Sequence, residues 1–221
     1  MIIKRICTGL VLSVFLLGMV GCSDGETIVD LPPIPQVYGS TTELVEAYIK
    51  AYETPDTMTL AKVLDPDFNF MLNQETRVEF PDVGAFFNHA DEVRIAGRLF
   101  SGDPVTTPGG NHVPGVSGIT VAEFQIKEDW AFLGAGPETS NDYRATFAIE
   151  LWIARPGFID FMVKGELIID ARAWSSENKG EGDLSWKIVG IVDNTFDQKK
   201  GNEFVSMGSL KALYWVPEPS R

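Results

Sequence analysis

A helical period of apolar residues opens the globular part of the chain. Apolar residues recur there every three or four positions, at Leu44, Ala47, Tyr48, Ala51 and Tyr52. This spacing predicts one face of an amphipathic helix. The preceding Ser40-Thr41-Thr42-Glu43 fits a capping box, so we expect the helix to begin directly after Ser40. Asp56 is placed to cap a second, short helix over residues 57–64, which Asp65-Pro66 would end.

The pattern then changes from helical to alternating. Residues 68–73, FNFMLN, favour a first strand, and Pro81-Asp82 would open a third helix. The apolar stripe of that helix would consist of Phe86, Ala90, Val93, Gly97 and Phe100. Long strands are expected after Gly115, over residues 119–129, 143–154, 158–174 and 184–193. Helices followed by a meander of strands predict an α+β fold with an antiparallel sheet.

The strand over residues 158–174 predicts which side of the sheet is buried. Its odd positions are apolar or glycine, while the even positions include Lys164, Glu166, Asp170 and Arg172. We expect the apolar side to pack on the helices and the charges to form a solvated ladder on the outer face. The same outer face would carry the large apolar residues Trp152, Met162, Ile168 and Trp174. Because an exposed apolar patch is typical of an interface, we expect these four to contact a protein partner or a second copy of the chain in a homodimer.

The first 22 residues have the layout of a secretion signal. Lys4 and Arg5 precede an apolar run that ends in small residues and Cys22. The run covers about 15 residues, fewer than the roughly 20 that a transmembrane helix needs, so we favour a cleaved leader over a permanent span. Met19-Val20-Gly21-Cys22 resembles the lipobox of a bacterial lipoprotein signal. The resemblance implies that residues 1–21 are removed and that Cys22 is acylated.

Acylation of Cys22 would explain how an acidic protein is held at a bilayer. The chain has 18 Lys plus Arg against 31 Asp plus Glu, a formal net charge of −13, so nucleic acid is not expected as a partner. Several acyl chains on one residue anchor a protein without basic side chains. Residues 22–39 would form a proline-rich tether. The resemblance implies a location on the periplasmic face of the bacterial envelope, and Ser23 after the cysteine favours the outer membrane over the inner.

The helices and the last strand resemble one known superfamily. Residues 43–70, ELVEAYIKAYETPDTMTLAKVLDPDFNF, and 184–194, LSWKIVGIVDN, resemble nuclear-transport-factor-2-like proteins, which include ketosteroid isomerases and SnoaL-like polyketide cyclases. The resemblance covers residues 40–195 and leaves 196–221 as a C-terminal extension. It implies a cone in which three N-terminal helices pack on the concave face of a curved antiparallel sheet, with a pocket between them.

The resemblance to the isomerases implies a pocket around Tyr48, Tyr52, Leu72 and Asp193. Tyr48 matches the position of the isomerases' catalytic tyrosine, although its place in the apolar stripe favours a core role. The position of the catalytic aspartate falls at Leu72 or Asn73, and neither residue can remove a proton. Asp193 is the one remaining carboxylate that could act as a base, because both registers of its strand are apolar and leave its direction open.

Other chemistry has little support in the sequence. The two histidines are His89 and His112; His89 and Asp91 are two residues apart on a helix and should point to different sides, and His112 lies in a loop. No set of metal ligands stands out, and residues 177–183, ENKGEGD, favour a hairpin tip over a calcium loop. We expect no metal and no cofactor.

Three functions remain open at this point. The first is a non-enzymatic lipoprotein whose cone binds an apolar small molecule or a protein partner. The second is an enzyme of the SnoaL-like or isomerase-like kind that acts on a small apolar substrate. The third is a structural component of the envelope. Catalysis would require an ionisable side chain inside the pocket with a shifted pKa.

Overall fold

The computed structural model describes residues 38–137, 140–175, 184–196 and 204–217. The predicted leader, Cys22, nearly all of the tether and the loop over residues 177–183 lie outside these ranges, so those predictions stay open. Within the described ranges, no helix has the length and apolar character needed to cross a bilayer.

Five α-helices and eight strands form the described fold. The helices are α1 (Thr41–Glu53), α2 (Thr57–Val63), α3 (Gln74–Glu79), α4 (His89–Ser101) and α5 (Met207–Tyr214). The strands are β1 (Leu64–Met71), β2 (Phe86–Asn88), β3 (Val105–Thr106), β4 (His112–Val113), β5 (Gly118–Ala135), β6 (Ser140–Ala154), β7 (Phe161–Ser175) and β8 (Leu184–Thr195). A short 3₁₀ turn covers Pro81–Val83.

Six of the strands form one curved, open sheet in the order β2-β1-β8-β7-β6-β5. Neighbouring strands run antiparallel except β1 and β8, which pair in parallel, so the sheet is mixed rather than purely antiparallel as the sequence predicted. Strands β3 and β4 form a separate two-stranded ribbon. The α+β class is therefore confirmed.

The first two helices lie where the sequence placed them. The Ser40 hydroxyl accepts a hydrogen bond from the Glu43 amide at the start of α1, and the Asp56 carboxylate accepts one from the Thr59 amide at the start of α2. The predicted apolar stripe of α1 is buried at Leu44, Tyr48, Ala51 and Tyr52. Local capping and periodicity agree with tertiary packing in this part of the chain.

The third helix was predicted with the wrong start and the wrong face. Residues 86–88 form β2 against β1, and the helix α4 begins at His89. Asn88 and Asp91 form the capping box that sets this start: the Asn88 side chain accepts from the Asp91 amide, and the Asp91 carboxylate accepts from the Asn88 amide. The buried face of α4 consists of Glu92, Ile95, Ala96 and Leu99, not of the predicted stripe.

The strand β1 starts earlier than expected. The helix α2 ends at Val63, just before Asp65-Pro66 as predicted, but both of these residues already lie inside β1. The parallel pairing with β8 shifts register between Leu64 and Asn69, and this bulge accommodates a proline that cannot donate to a ladder. The helix α2 therefore passes into the sheet without a connecting loop.

The long strands confirm the predicted division between the two faces of the sheet. On β7 the odd positions from Phe161 to Ala173 are buried, apart from half-buried Gly165. Opposite charges pair across the outer face: Lys164 with Glu150, Lys127 with Glu166, Arg144 with Asp170 and Arg172 with Asp142. The concave face therefore supplies the core, and the predicted ladder of charges lies outside.

The helix α5 completes that core from the C-terminal segment. It is buried on nearly every side, at Met207, Gly208, Ser209, Leu210, Lys211, Ala212 and Tyr214. It packs against α3, α4, β7 and β8. The predicted C-terminal extension thus contains a helix that lies in the same interior as the helices α1 to α4.

Candidate interior site

The four residues predicted to line a pocket are all buried in the interior. Tyr48, Tyr52, Leu72 and Asp193 are between 0 and 5% exposed. The helix α5 reaches three of them: Lys211 donates to the Tyr52 hydroxyl, Gly208 donates to Asp193, and Gly208 lies against the side chain of Leu72. The region that would form a pocket in an open cone is therefore filled by the chain's own helix.

A buried ion pair lies at the centre of this interior. Glu92 on α4 and Lys211 on α5 are 0 and 2% exposed, and the Lys211 ammonium donates to Glu92 Oε1. The Tyr52 hydroxyl donates to the same Oε1 at 3.0 Å and accepts from Lys211 Nζ at 2.8 Å. Three elements far apart in sequence, α1, α4 and α5, thus meet through one triangle of hydrogen bonds.

Aromatic rings surround the Lys211 ammonium. Its Nζ lies 4.6 Å from the centroid of the Phe70 ring and 5.4 Å from that of the Tyr52 ring. The Tyr48 ring packs edge-on against Tyr52, with centroids 5.3 Å apart. Ring faces attract cations, more strongly where water is excluded, so this environment suits an ammonium group. We call Tyr48, Tyr52, Phe70, Glu92 and Lys211 the Glu92 cluster.

One polar atom of the Glu92 cluster, Glu92 Oε2, is buried and has no hydrogen-bond partner among the described residues. Most buried polar side-chain atoms in proteins are hydrogen-bonded, and leaving one unpaired costs about 1–3 kcal/mol. The cluster therefore has more hydrogen-bonding capacity than α5 uses.

The electrostatics of the cluster follow from its burial. Burial raises the pKa of Tyr48 and of Tyr52, and the nearby Glu92 charge raises both further. Burial also lowers the pKa of Lys211, against the opposing influence of Glu92. Both tyrosines therefore remain protonated at neutral pH and can only donate or accept hydrogen bonds as neutral phenols.

Asp193 points inward, and its carboxylate is fully engaged. Oδ1 accepts from the Thr195 amide and hydroxyl, while Oδ2 accepts from the Gly208 amide at 2.8 Å and from Asn73 Nδ2 at 3.3 Å. Gly208 lies in the first turn of α5, where a negative charge is favourable. Burial raises the pKa of Asp193, in the direction that a base would need. Its oxygens nevertheless serve to hold α5 on the sheet.

The histidines lie away from the Glu92 cluster's polar contacts. His89 Nε2 is 3.2 Å from the Ala61 carbonyl oxygen, while Asp91 caps α4 and pairs with Arg94. His112 is exposed on the ribbon strand β4 rather than in an irregular loop. No group of three or more histidine, cysteine or acidic side chains suited to a metal occurs among the described residues.

The predicted interface residues do not form one patch. Trp152 and Met162 face each other across β6 and β7, and Trp152 is 41% exposed. Ile168 and Trp174 lie six and twelve residues further along β7 than Met162, which is about 20 and 40 Å at the usual rise of a strand. The charged pairs of the outer face lie between them, so only Trp152 and Met162 are brought together.

The sequence missed Glu92 and Lys211, the two charged members of the cluster. Glu92 belongs to the buried face of α4, at the start of the i, i+3, i+4, i+7 series that continues with Ile95, Ala96 and Leu99. Because this series begins with a charged residue, the alternative stripe that starts at Phe86 appeared more apolar in the sequence. Lys211 lies outside residues 40–195, which carry the family resemblance. The only sequence signal around it is the segment MGSLKALY, which forms the buried helix α5.

Comparisons with known proteins found similar solved structures but no matching family. No family model and no curated protein matches the chain. The chain is similar in structure to a proposed dehydratase from the NTF2-like family of Streptomyces avermitilis, at 10% identity, covering 67% of this chain and 88% of that chain, with a TM-score of 0.38. It is also similar to a protein of unknown function with a cystatin-like fold from Xanthomonas campestris, at 15% identity, covering 80% and 99%, with a TM-score of 0.37.

A third similar structure is a proposed polyketide cyclase from Pseudomonas putida, at 14% identity, covering 72% of this chain and 91% of that chain, with a TM-score of 0.30. The structure itself establishes the α+β class, and the superfamily stays the resemblance drawn from residues 43–70 and 184–194. Similarity this low carries no argument about substrate, activity or partner.

Proposed function

We propose that this protein is a lipid-anchored lipoprotein of the bacterial envelope whose domain binds a small molecule or a protein partner without chemical turnover. The anchor is the acylated Cys22, and the acidic domain is held at the membrane by acyl chains rather than by basic residues.

The observation that carries the non-enzymatic proposal is the engagement of the two buried carboxylates that contact α5, Glu92 and Asp193. Glu92 is neutralised by Lys211, and Asp193 accepts four hydrogen bonds, one of them from α5. A general base must be within hydrogen-bonding reach of a substrate proton, and each positioned group contributes about 10²–10⁴ in rate. The helix α5 occupies the space that the Glu92 and Asp193 carboxylates face.

The enzyme alternative is favoured by one observation, the burial of Asp193. Its pKa is raised by that burial, and its charge is felt at Tyr48, the residue that matches the catalytic tyrosine of the isomerases. The test is an assay of Δ5-ketosteroid isomerisation with the purified domain. We expect no turnover above the buffer rate. Turnover that is lost in Tyr48→Phe or Asp193→Asn would establish the enzyme instead.

The membrane anchor is tested independently by Cys22→Ser. We expect the wild-type protein to sediment with membranes and to incorporate a labelled fatty acid, and the variant to do neither. Retention of the variant in the membrane fraction would mean that the uncleaved leader is the anchor. Cys7→Ser is the matched control, because Cys7 lies in the leader and its replacement should leave acylation unchanged.

A further inference from the structure

The Glu92 cluster has the composition of a receptor for an organic cation. A carboxylate supplies the charge, a phenol supplies a hydrogen-bond acceptor at 2.8 Å from the ammonium, and two aromatic rings lie within 5.4 Å of it. Carboxylates and ring faces together favour alkylammonium groups. The group now held there is the ammonium of the chain's own Lys211.

Part of the cluster is left without a partner by this arrangement. Glu92 Oε2 is buried and lacks a hydrogen-bond partner among the described residues. An ammonium has three N–H donors, and Lys211 directs two of them to Glu92 Oε1 and to Tyr52. An ammonium that entered from a separate molecule could be placed to reach Glu92 Oε2 as well, because a helix would not fix its position.

The helix α5 is held in place by contacts that do not involve Lys211. At its first turn, Gly208 donates to Asp193 and Met207 donates to Thr195, and at its last turn Arg98 donates to the Tyr214 and Val216 carbonyls. These contacts hold the backbone, while the charge of Lys211 is balanced by Glu92. The occupant of the cluster and the anchors of the helix are therefore separate sets of residues, which can be changed one at a time.

We propose that the Glu92 cluster is a binding site for a primary alkylammonium group, and that Lys211 occupies it until such a ligand takes its place. This inference rests on the proposed function and names the class of small molecule that the interior takes. An alkylamine is protonated near neutral pH, as lysine is, so the ligand is a cation at the pH of the envelope. No bond is made or broken.

The test removes the resident ammonium and supplies it from solution. Lys211→Ala deletes three methylenes and the ammonium, a group that n-propylammonium replaces atom for atom. We expect the midpoint of thermal unfolding to fall in this variant and to be raised again by roughly 5 °C, in a saturable manner, by n-propylammonium chloride. Sodium chloride at equal concentration and n-propanol should not restore it.

The matched control is Lys211→Ala combined with Glu92→Gln, which keeps the cavity and removes its charge. It should show no saturable response to n-propylammonium. Equal responses of the single and double variants, or no response of either, would overturn the proposal. If Lys211→Ala does not fold unaided, it is refolded with and without n-propylammonium, and failure to refold in both overturns the proposal equally.

Displacement of the Lys211 ammonium by a ligand is measured separately, in the wild-type protein. With saturating n-propylammonium we expect amide hydrogen exchange to accelerate in α5 by tenfold or more and to stay unchanged in β7. Unchanged exchange in α5 would show that the ligand does not displace the helix and would overturn that half of the proposal. None of these measurements depends on turnover, so their failure is distinct from a failure of the non-enzymatic function.

Discussion

At the scale of single residues, two buried carboxylates are balanced in different ways. Glu92 is balanced by one cation, Lys211, and Asp193 is balanced by backbone and side-chain donors without a cation in direct contact. Removal of one partner from a buried pair leaves an unpaired charge and costs about 3–5 kcal/mol, more than the pair itself contributes. Substitution of Glu92 or Lys211 should therefore lower the free energy of unfolding more than substitution in any exposed ion pair of the outer face.

Tyr214 gives a prediction about alkaline pH. Its hydroxyl donates to the Pro114 carbonyl at 2.6 Å, and burial raises its pKa to about 12, partly opposed by the charge of Arg155. The unfolded chain releases this proton near pH 10. Between pH 10 and about 12 the folded state holds a proton that the unfolded state has lost, so the free energy of unfolding should fall as the pH rises through this window.

The measurement is urea denaturation of the wild type and Tyr214→Phe over pH 8 to 12. We expect the difference between the two free energies of unfolding to be constant below pH 10 and to shrink above it. The comparison cancels the contributions of Tyr48 and Tyr52, which are common to both proteins. A difference that stays constant through the whole range would contradict the assignment.

The sequence singled out two of the five residues of the Glu92 cluster, and the two charged residues escaped it for a physical reason. Tyr48 and Tyr52 follow from the helical period of α1, and Asp193, whose direction the sequence left open, is buried beside the cluster. Glu92 escaped because periodicity assigns charged residues to the exposed face, and a buried charge is stable only with a partner that no local pattern reveals. That partner, Lys211, is 119 residues away.

At the scale of elements, the described helices show where local signals and tertiary packing agree. The starts of α1 and α2 follow from their caps, and the strands follow from alternation. The predicted start of the third helix was wrong because residues 86–88 pair with β1. A backbone that is hydrogen-bonded in a sheet cannot also begin a helix. The bulge at Asp65-Pro66 likewise depends on the neighbouring strand rather than on the two residues alone.

A pair of helical glycines tests how closely α5 is packed. A Cβ at Gly208 would lie 2.7 Å from Asp193 Oδ2 and 2.9 Å from Leu72, whereas a Cβ at Gly97 in α4 would meet nothing within 4 Å. We expect Gly208→Ala to lower the free energy of unfolding by roughly 1–3 kcal/mol through overpacking. Gly97→Ala should raise it by up to about 1 kcal/mol, the difference in helix propensity.

The two substitutions are chemically identical, so each serves as the control for the other in chemical denaturation. Gly208→Ala would also weaken the bond from the Gly208 amide to Asp193, which adds to the loss. Stabilisation by both substitutions would mean that the interior around α5 is open, and would contradict the close packing of this helix on β8 and α3.

At the scale of the whole molecule, the chain is acidic and the outer face of its sheet carries paired charges. A net charge of −13 disfavours contact with anionic surfaces. The predicted interface is reduced to Trp152 and Met162, because the charged ladder separates them from Ile168 and Trp174. Any self-association through this face therefore combines one small apolar contact with charged surroundings.

Self-association can be tested with the purified domain. We expect the oligomer mass from light scattering to fall when Trp152→Ala and Met162→Ala are combined, and to depend on salt because the flanking charges are exposed. Ile168→Ala is the matched control and should leave the mass unchanged. A wild-type domain that stays monomeric at high concentration would rule out this interface.

The helix α5 determines whether the interior between the helices and the sheet is filled or open. Amide hydrogen exchange of the wild-type domain, read residue by residue, tests its place in the core directly. Because elements that pack in the core open rarely, we expect the amides of residues 210–214 in the protein without ligand to be as strongly protected as those in the centre of β7. Exchange of these amides at the rate of an unstructured peptide, with β7 still protected, would show that the interior is open and would contradict the filled core.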